Sequence, residues 1–447
     1  MDYKLIIIGA GPGGYETALL AARRGIETVL IEAGEVGGTC LNEGCIPTKT
    51  FCRNAQLMED LAKSEVFGVD DLVYSFDFSV AAQRKNAIVE QLKGGVESLL
   101  ANPRIRLVRG TARFVDAHTV AVGEETFTAE NIIIATGSTA ATLPIPGNDL
   151  PGVITSRELL NIDHVPPRLC IIGAGVIGLE FASIFTSFGS EVTVVEYAKE
   201  ILPRFDSDMA KRLRQSLGKR GITITTQAAV SAIAQNGDEL TVTYTRKGKE
   251  ETVVADKVLM AVGRRPNLAS LNLEEVGIEA TPCGVVVNEN MQTNVPHIYA
   301  IGDIIGGYML AHAATFQGIR ALNHIMGTPD KLNLNVMPAA VFTMPEAATV
   351  GLTEDECKEK GIACTCKKSF FRANGKAVCL DETDGFCKLV VGDDSKLLGC
   401  HLFGPHAADL VQEVCALISV GATLDDLQNI IHTHPTLGEV IQTAAHS

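Results

Sequence analysis

One sequence pattern constrains the fold of this chain more than any other feature, and it occurs twice. It consists of a strand, a glycine-rich turn, a helix and a second strand. In the first copy, the apolar run Lys4 to Ile8 precedes glycines in a GxGxxG spacing, a helical stretch and a second strand, Glu27 to Ile31. The glycines and the acid that ends the pattern are Gly9, Gly11, Gly14 and Glu32. Such a pattern lets the backbone approach a pyrophosphate at a helix N-terminus, while the acid binds a ribose hydroxyl. It predicts a dinucleotide-binding domain.

The second copy starts at another apolar strand, Leu169 to Ile172, and its second strand, Val192 to Val195, also ends at an acid. Its glycines and acid are Gly173, Gly175, Gly178 and Glu196. The offset from first glycine to acid is 23 residues in both copies. We therefore predict two nucleotide sites, the alternative being one functional site and one decayed duplicate.

The acid at the end of the second copy indicates which nucleotide binds there. A carboxylate accepts hydrogen bonds from a free 2′-hydroxyl and repels a 2′-phosphate, which would require arginine instead. The residues after Glu196 are Tyr197, Ala198 and Lys199, so basic character is slight. NAD is favoured over NADP.

Two cysteines, Cys40 and Cys45, lie in the glycine-rich stretch Gly37 to Thr50. Their spacing is too wide for the thioredoxin CxxC motif, and no second CxxC completes a zinc site. A turn at Asn42 to Gly44 would permit a small disulfide ring. Pro47 is a favourable first helical residue, so Cys45 is expected just before a helix N-terminus, where a thiolate is stabilised. The alternative is a pair of buried cysteines that act as small apolar side chains.

Composition excludes some classes of partner. The chain has 38 Lys and Arg residues and 53 Asp and Glu residues, which gives a net charge of -15. Binding to nucleic acid or to anionic membranes is therefore disfavoured. No apolar stretch approaches the roughly 18 residues of a membrane span. Twelve cysteines without framework spacing indicate a reducing compartment, and we expect a cytoplasmic protein.

Three further strand ends and a C-terminal turn carry candidate site residues. The strand Ile132 to Ile134 leads into Thr136 and Gly137. The strand Val258 to Ala261 leads into Gly263. The third leads into Asp303, whose carboxylate suits the polyol chain of a flavin.

The C-terminal turn has the sequence HTHPTLGE, in which His434 precedes Glu439 by five residues in a turn fixed by Pro435. This arrangement is typical of a base and the acid that orients it. An HxH pair alone would more often lie on a surface or bind metal, so the cysteine pair elsewhere in the chain gives this interpretation its weight.

Together these motifs resemble a known family. The stretch GGTCLNEGCIPTKT resembles the redox-active disulfide of the FAD-dependent pyridine nucleotide-disulfide oxidoreductases. With GAGVIGLEFA, AVGRRPN, YAIGD and HTHPTLGE, the chain looks most like the dihydrolipoamide dehydrogenases, over nearly its whole length. Thr433 and Gly438 depart from the Ala and Ser usual in the family, and neither departure alters His434 or Glu439 themselves.

The resemblance implies an α/β fold with two Rossmann-like dinucleotide-binding domains and a C-terminal α+β dimerisation domain. The implied boundaries are 1–140 for the FAD domain with the disulfide, 141–262 for the NAD domain, 263–335 for a central domain that completes the FAD site, and 336–447 for the interface domain. The implied assembly is a homodimer in which His434 of one subunit reaches the disulfide of the other.

The resemblance also implies roles for individual residues. Cys40 would be the interchange sulfur and Cys45 the flavin-proximal one, with Lys49 and Glu180 paired near the flavin, His434 as base and Glu439 holding it. The implied FAD residues are Gly9, Gly11, Gly14, Glu32, Lys49, Thr136, Gly137 and Asp303. The implied NAD residues are Gly173, Gly175, Gly178, Glu196 and Gly263. No metal site is implied.

The implied activity is oxidation of dihydrolipoamide to lipoamide through the disulfide and FAD, with hydride transfer to NAD+. The implied partner is a small dithiol or a lipoylated domain of a 2-oxo acid dehydrogenase or glycine cleavage complex. The alternatives are an NADH-dependent reductase of another small disulfide and a flavin-bound redox sensor. Cys364 and Cys366 would face the same way on a strand, which allows metal binding, although reduced structural thiols are the simpler interpretation.

Overall fold

In the computed structural model, which describes residues 1–447, the chain forms two units of interleaved segments. The first unit contains Met1–Thr50, Val80–Ala141 and Gly263–Leu334, and the second contains Phe51–Ser79, Thr142–Val262 and Asn335–Ser447. Helices and parallel sheets occur in both units, so the prediction of an α/β fold is confirmed. No helix combines the length and apolarity that a membrane crossing requires.

Thirteen α-helices and four short 3-10 helices are present. The α-helices are α1 (Pro12–Arg23), α2 (Gly38–Glu43), α3 (Cys45–Ala62), α4 (Phe78–Leu100), α5 (Ser156–Leu159), α6 (Val176–Ser187), α7 (Ser207–Lys219), α8 (Ala311–Ile325), α9 (Glu354–Glu359), α10 (Gly375–Leu380), α11 (Ala407–Ser419), α12 (Leu424–Gln428) and α13 (Glu439–Ala445). The 3-10 helices are Ser64–Phe67, Leu273–Val276, Gly302–Ile305 and Phe371–Ala373.

The strands are β1 (Tyr3–Ile8), β2 (Thr28–Glu32), β3 (Ile105–Arg109), β4 (Ala112–Asp116), β5 (Thr119–Val122), β6 (Glu125–Ile134), β7 (Ser138–Ala140), β8 (Val153–Ile154), β9 (Arg168–Ile172), β10 (Glu191–Val195), β11 (Thr223–Thr225), β12 (Ala228–Asn236), β13 (Glu239–Arg246), β14 (Lys249–Ala255), β15 (Lys257–Met260), β16 (Arg264–Pro266), β17 (Ala280–Thr281), β18 (Gly284–Val285), β19 (Ile298–Ala300), β20 (Ala339–Val341), β21 (Glu346–Gly351), β22 (Cys364–Phe370), β23 (Phe386–Gly392) and β24 (Leu397–Gly404).

The first unit is organised around a parallel sheet in the order β3, β2, β1, β6 and β19. Its central strand β1 is apolar at successive positions because both faces of the sheet are covered. Leu5 and Ile7 pack into one hydrophobic cluster, while Ile6 and Ile8 pack into the cluster on the opposite face. The carboxyl ends of these strands therefore share one edge, where the candidate site residues follow.

The second unit repeats this arrangement and adds antiparallel structure. A parallel sheet runs in the order β11, β10, β9, β15 and β8, and β12, β13 and β14 form a separate antiparallel sheet. The C-terminal part forms a five-stranded antiparallel sheet in the order β20, β21, β24, β23 and β22. Helices α11 and α13 contribute Val411, Val414, Val440 and Ile441 to the hydrophobic cluster that covers it.

A buried ion cluster links two parts of the second unit. Lys388 on β23 lies 2.8 Å from Asp206 and 2.9 Å from Glu354, measured from its Nζ atom to a carboxylate oxygen of each. The Lys388 and Asp206 side chains are 2% and 0% exposed. Asp206 also accepts hydrogen bonds from two backbone amides at the start of α7. The ammonium groups of Lys358 and Lys388 lower the pKa of Glu354 to about 2, so this carboxylate stays charged at neutral pH.

We predict that Lys388→Met will lower the free energy of unfolding by roughly 3–5 kcal/mol, because removing one partner leaves a buried charge uncompensated. Lys396 is the matched control, since its ion pair with Asp394 has both side chains 58% exposed. Lys396→Met should change stability by only about 0–1 kcal/mol. Urea unfolding of the two variants measures the difference, and equal effects would contradict the prediction.

Candidate functional site

Cys40 and Cys45 form a disulfide near the end of the first segment of the first unit, with Cα atoms 4.7 Å apart. Cys40 lies in α2, and Cys45 is the first residue of α3. Gly37 and Gly38 precede Cys40 with φ values of 91° and 57°, a left-handed conformation that glycine adopts at little cost. The chain can thus turn sharply into the disulfide ring.

The structure corrects two details of the expected disulfide ring. Asn42 is helical and does not form a turn, and its side-chain amide donates hydrogen bonds to the Val36 and Gly38 carbonyls, both at 2.9 Å. The helical conformation is broken only at Gly44. Helix α3 begins at Cys45 and not at Pro47, because proline is tolerated throughout a first turn, whose amides need no partner within the helix.

The first glycine turn connects β1 to α1 with no room for side chains at two of its glycines. A Cβ atom on Gly9, whose φ is 105°, would lie 2.3 Å from the Ala135 carbonyl oxygen, and one on Gly14 would lie 1.8 Å from the Gly9 oxygen. A Cβ on Gly11 would meet only Gly38, at 3.9 Å. The N-terminus of α1 is therefore open at Gly11, as a bound pyrophosphate would require.

Glu32 is held at the end of β2 beside this turn. One carboxylate oxygen accepts a hydrogen bond from the Ala10 amide at 2.6 Å, and the other accepts one from the Gly34 amide at 2.7 Å. These bonds fix the carboxylate next to the glycine turn, where it can meet a ribose. The sequence pattern predicted an acid at the end of the second strand, and Glu32 is the last residue of β2.

Asp303 lies in the same unit within a network that the sequence did not reveal. The Ser138 hydroxyl donates a hydrogen bond to Asp303, and Arg264 Nε donates one to the Ser138 hydroxyl at 2.7 Å. Arg264 Nε also lies 3.6 Å from an Asp303 carboxylate oxygen. Ser138 and Arg264 thus orient the Asp303 carboxylate.

The Thr136 and Gly137 backbone, which leads from β6 into β7, is tied to Asn267. The Asn267 side-chain amide donates a hydrogen bond to the Thr136 carbonyl at 2.9 Å, and its backbone amide donates one to the Gly137 carbonyl at 3.0 Å. Gly137 has a φ of 68°, and a Cβ atom there would meet nothing within 4 Å. Thr136 and Gly137 therefore lie on a fixed loop at the carboxyl end of β6.

The second glycine turn has the same geometry in the second unit. A Cβ on Gly173 would lie 2.4 Å from the Ala261 oxygen, one on Gly178 would lie 2.0 Å from the Gly173 oxygen, and one on Gly175 would meet nothing within 4 Å. The Glu196 carboxylate accepts hydrogen bonds from the Ala174 and Ala198 amides at 2.5 and 2.6 Å. The second copy therefore keeps every feature that a dinucleotide site needs.

Three other candidate site residues, Gly263, Lys49 and Glu180, lie outside the two glycine turns. Gly263, with a φ of 115°, begins the last segment of the first unit, whereas the remaining NAD residues lie in the second unit. Lys49 lies on α3. Glu180 is buried on α6, and its carboxylate accepts a hydrogen bond from the Phe342 amide at 3.0 Å.

His434 and Glu439 form the expected pair in the second unit. His434 Nδ1 lies 2.9 Å from one Glu439 oxygen, and the Thr436 amide donates a hydrogen bond to the other, also at 2.9 Å. The hydrogen bond from the Thr436 amide, and then the one from His434, lower the pKa of Glu439. Glu439 is therefore a carboxylate at neutral pH and accepts a hydrogen bond from Nδ1 of His434. Nε2 is then left with the lone pair that a base requires.

Beside this pair lies an open pocket of about 550 Å³, lined by both polar and apolar side chains. At one wall, His432 Nε2 is 2.9 Å from a Glu413 carboxylate oxygen, although the angle is poor for a hydrogen bond. His432 Nδ1 lies 3.1 Å from the Ile430 carbonyl oxygen. His432 therefore faces Glu413, whereas the ring that contacts Glu439 directly is that of His434.

Sequence reasoning missed Gly38, Ser138, Arg264 and Glu413 as residues that shape these sites. Gly38 could have been found from the GG pair before Cys40, since a Cβ there would lie 2.7 Å from the Gly11 Cα. Arg264 lies in the AVGRRPN motif, but that motif does not reveal its contact with Ser138, 126 residues away. Ser138 and Glu413 had no local signal.

Comparison with known proteins gives matches over nearly the whole chain. Residues 3–318 match the family model for pyridine nucleotide-disulphide oxidoreductases, and residues 337–445 match that family's dimerisation domain. Dihydrolipoyl dehydrogenases of Geobacillus stearothermophilus and Bacillus subtilis (strain 168) are 40% and 41% identical to the chain. Each alignment covers 100% of this chain and 96% of the relative.

A solved structure is also similar. The HOCl-induced flavoprotein disulfide reductase RclA from Escherichia coli superposes with a TM-score of 0.88 at 31% sequence identity, covering 99% of both chains.

We predict that Gly11→Ala will weaken flavin binding at least about tenfold, or ~1.4 kcal/mol, because the new methyl group occupies the pyrophosphate space without a clash in the protein itself. Gly94→Ala on α4 is the matched control, since a Cβ there meets nothing within 4 Å. Flavin absorbance per chain after gel filtration measures binding, and thermal unfolding of the flavin-free variants checks the fold. Full flavin retention by Gly11→Ala would contradict this assignment.

Proposed function

The chain belongs to the pyridine nucleotide-disulphide oxidoreductase family, and we propose that it catalyses the oxidation of dihydrolipoamide to lipoamide by NAD+. The observation that carries this proposal is the Cys40–Cys45 disulfide, which lies in the same unit as the first glycine turn. The enzyme is a flavoprotein disulfide oxidoreductase with FAD and NAD as its cofactors. Bound FAD supplies the two-electron chemistry that links a dithiol to a nicotinamide.

The disulfide performs the thiol chemistry. A substrate thiolate attacks the Cys40 sulfur, the Cys40–Cys45 bond breaks, and Cys45 leaves as a thiolate. The second substrate thiolate then attacks the substrate sulfur of the mixed disulfide and releases Cys40. The substrate has lost two electrons, and the enzyme holds a dithiol. The position of Cys45 at the start of α3, an 18-residue helix, favours its thiolate form.

His434 supplies the proton step. Its Nε2 atom takes the proton of the substrate thiol, while Glu439 fixes the ring through Nδ1 and stabilises the imidazolium that forms. In the proposed homodimer, His434 of one subunit serves the disulfide of the other. The match to the dimerisation domain supports the homodimer.

The nucleotide turns divide the two cofactors between them. Gly9, Gly11, Gly14, Glu32 and Asp303 would hold FAD, with Thr136 and Gly137 on the adjoining loop. Lys49 and Glu180 match the lysine and glutamate that the family resemblance implies near the flavin. Gly173, Gly175, Gly178, Glu196 and Gly263 would hold NAD. Glu196 favours NAD over NADP because its carboxylate repels a 2′-phosphate.

The domain boundaries and the cellular setting complete the proposal. The FAD domain would span residues 1–140, the NAD domain 141–262, the central domain 263–335 and the interface domain 336–447. The electron donor would be a lipoylated domain of a 2-oxo acid dehydrogenase or glycine cleavage complex, or a small free dithiol, in the cytoplasm.

A steady-state assay of the FAD-loaded enzyme tests the activity. We expect rapid reduction of NAD+ by dihydrolipoamide and a kcat/KM for NADP+ at least about tenfold lower, a difference of ~1.4 kcal/mol in transition-state binding. A second candidate, an NADH-dependent reductase of another small disulfide, is supported by the similarity to a flavoprotein disulfide reductase. That candidate is favoured if dihydrolipoamide oxidation is negligible while NADH oxidation with a panel of small disulfides is fast.

His434→Ala should lower kcat for dihydrolipoamide oxidation by about 10²–10⁴, the usual contribution of general acid–base catalysis. His446→Ala is the matched control, because His446 is an exposed histidine outside the pair. NADH oxidation by ferricyanide, which needs no thiol deprotonation, should remain unchanged in both variants. An unaltered kcat in His434→Ala would remove this residue from the mechanism.

A further inference from the structure

Ten cysteines lie outside the Cys40–Cys45 disulfide, and three of them meet where α9 packs on β22. Strand β22 is the edge strand of the C-terminal sheet. Cys357 lies on α9 and is 0% exposed, whereas Cys364 and Cys366 lie on one face of β22 and are half-buried. The mechanism above uses none of these thiols.

Cys357 and Cys364 are neighbours at this junction, because α9 packs on β22 and the Cys364 thiol lies near enough to raise the pKa of Cys357. The backbone holds them together, because the Ile362 amide donates a hydrogen bond to the Cys357 carbonyl at 2.8 Å as the chain turns from α9 into β22. Gly361 has a φ of 66° in this turn. The contact between the thiols is therefore built into a short, hydrogen-bonded connection.

Cys366 has a different partner. Its thiol lies near Glu354, the carboxylate that also pairs with Lys388. Burial, and then Glu354, raise the pKa of Cys366 to about 11, so it remains a protonated donor in this ion cluster. Cys366 is thus a thiol close to Cys364 whose own contact is with Glu354 and not with Cys357.

We propose that Cys357 and Cys364 are a second redox site, a dithiol that hydrogen peroxide oxidises to a disulfide. The Cys364 thiolate attacks one peroxide oxygen, the O–O bond breaks, and a sulfenic acid and hydroxide form. The Cys357 sulfur then attacks the Cys364 sulfur and displaces the second hydroxide. Two thiols and one peroxide thus give one disulfide and two waters.

The different exposure of the two sulfurs sets the order of these steps. Cys364 is half-buried and reaches the solvent, while Cys357 is enclosed. Burial and the contact with Cys364 raise the pKa of Cys357 to about 11. Cys357 therefore remains a protonated thiol until Cys364 has been oxidised to a sulfenic acid beside it. The disulfide would join α9 covalently to β22 and restrain the connection between them.

The test is a disulfide map of the FAD-loaded enzyme after peroxide treatment, alkylation of free thiols and proteolysis without reductant. We expect a peptide pair linked through Cys357 and Cys364 that dithiothreitol separates, beside the resident Cys40–Cys45 link. Cys364→Ser should abolish the new link, and Cys366→Ser, the matched control two residues away, should retain it. The readout is a covalent bond, so it is independent of the proposed turnover.

A second thiol pair serves as an internal control. Cys387 and Cys400 pack in one hydrophobic cluster on the paired strands β23 and β24, but both are 0% exposed. They should stay unlinked at peroxide doses that close the first pair. The proposal is overturned if Cys357 remains alkylatable, if Cys364 pairs with Cys366, or if the Cys387–Cys400 link forms instead.

Discussion

The close approach of backbone to backbone at the first glycine of each nucleotide turn is the constraint on which the structure depends. Gly9 and Gly173 adopt φ values of 105° and 106°, and a Cβ atom on either would lie within 2.4 Å of a carbonyl oxygen from the neighbouring strand end. Only glycine permits this contact. It sets α1 and α6 over the carboxyl edges of their sheets, with open N-termini at the positions where a pyrophosphate would bind.

Carboxylates oriented by fixed donors are the second common feature. Glu32 and Glu196 each accept hydrogen bonds from two backbone amides. Glu439 accepts one hydrogen bond from a backbone amide and one from the His434 ring. Asp303 is held by Ser138 in the same way. Since charged acceptors make strong hydrogen bonds, these side chains are in place before a ligand arrives, and binding costs less conformational entropy.

Local signals predicted much of the fold and of the candidate site. The glycine spacings and the apolar runs located both parallel sheets, and the cysteine spacing was compatible with the Cys40–Cys45 disulfide that the family resemblance implied. The same local reasoning misplaced the start of α3, because Pro47 is equally acceptable at any position of a first turn. It also could not find Arg264, whose role depends on Ser138, 126 residues away.

The sequence by itself determined the two glycine motifs that predict dinucleotide sites and a cysteine pair compatible with a disulfide, because those properties reside in short motifs whose backbone conformation depends on adjacent residues. Only the tertiary structure decided which distant groups complete them. Lys388 meets Asp206 across 182 positions of sequence, and Cys387 meets Cys400 across two strands. Such contacts follow from how sheets and helices pack, and packing depends on the whole chain rather than on any one segment.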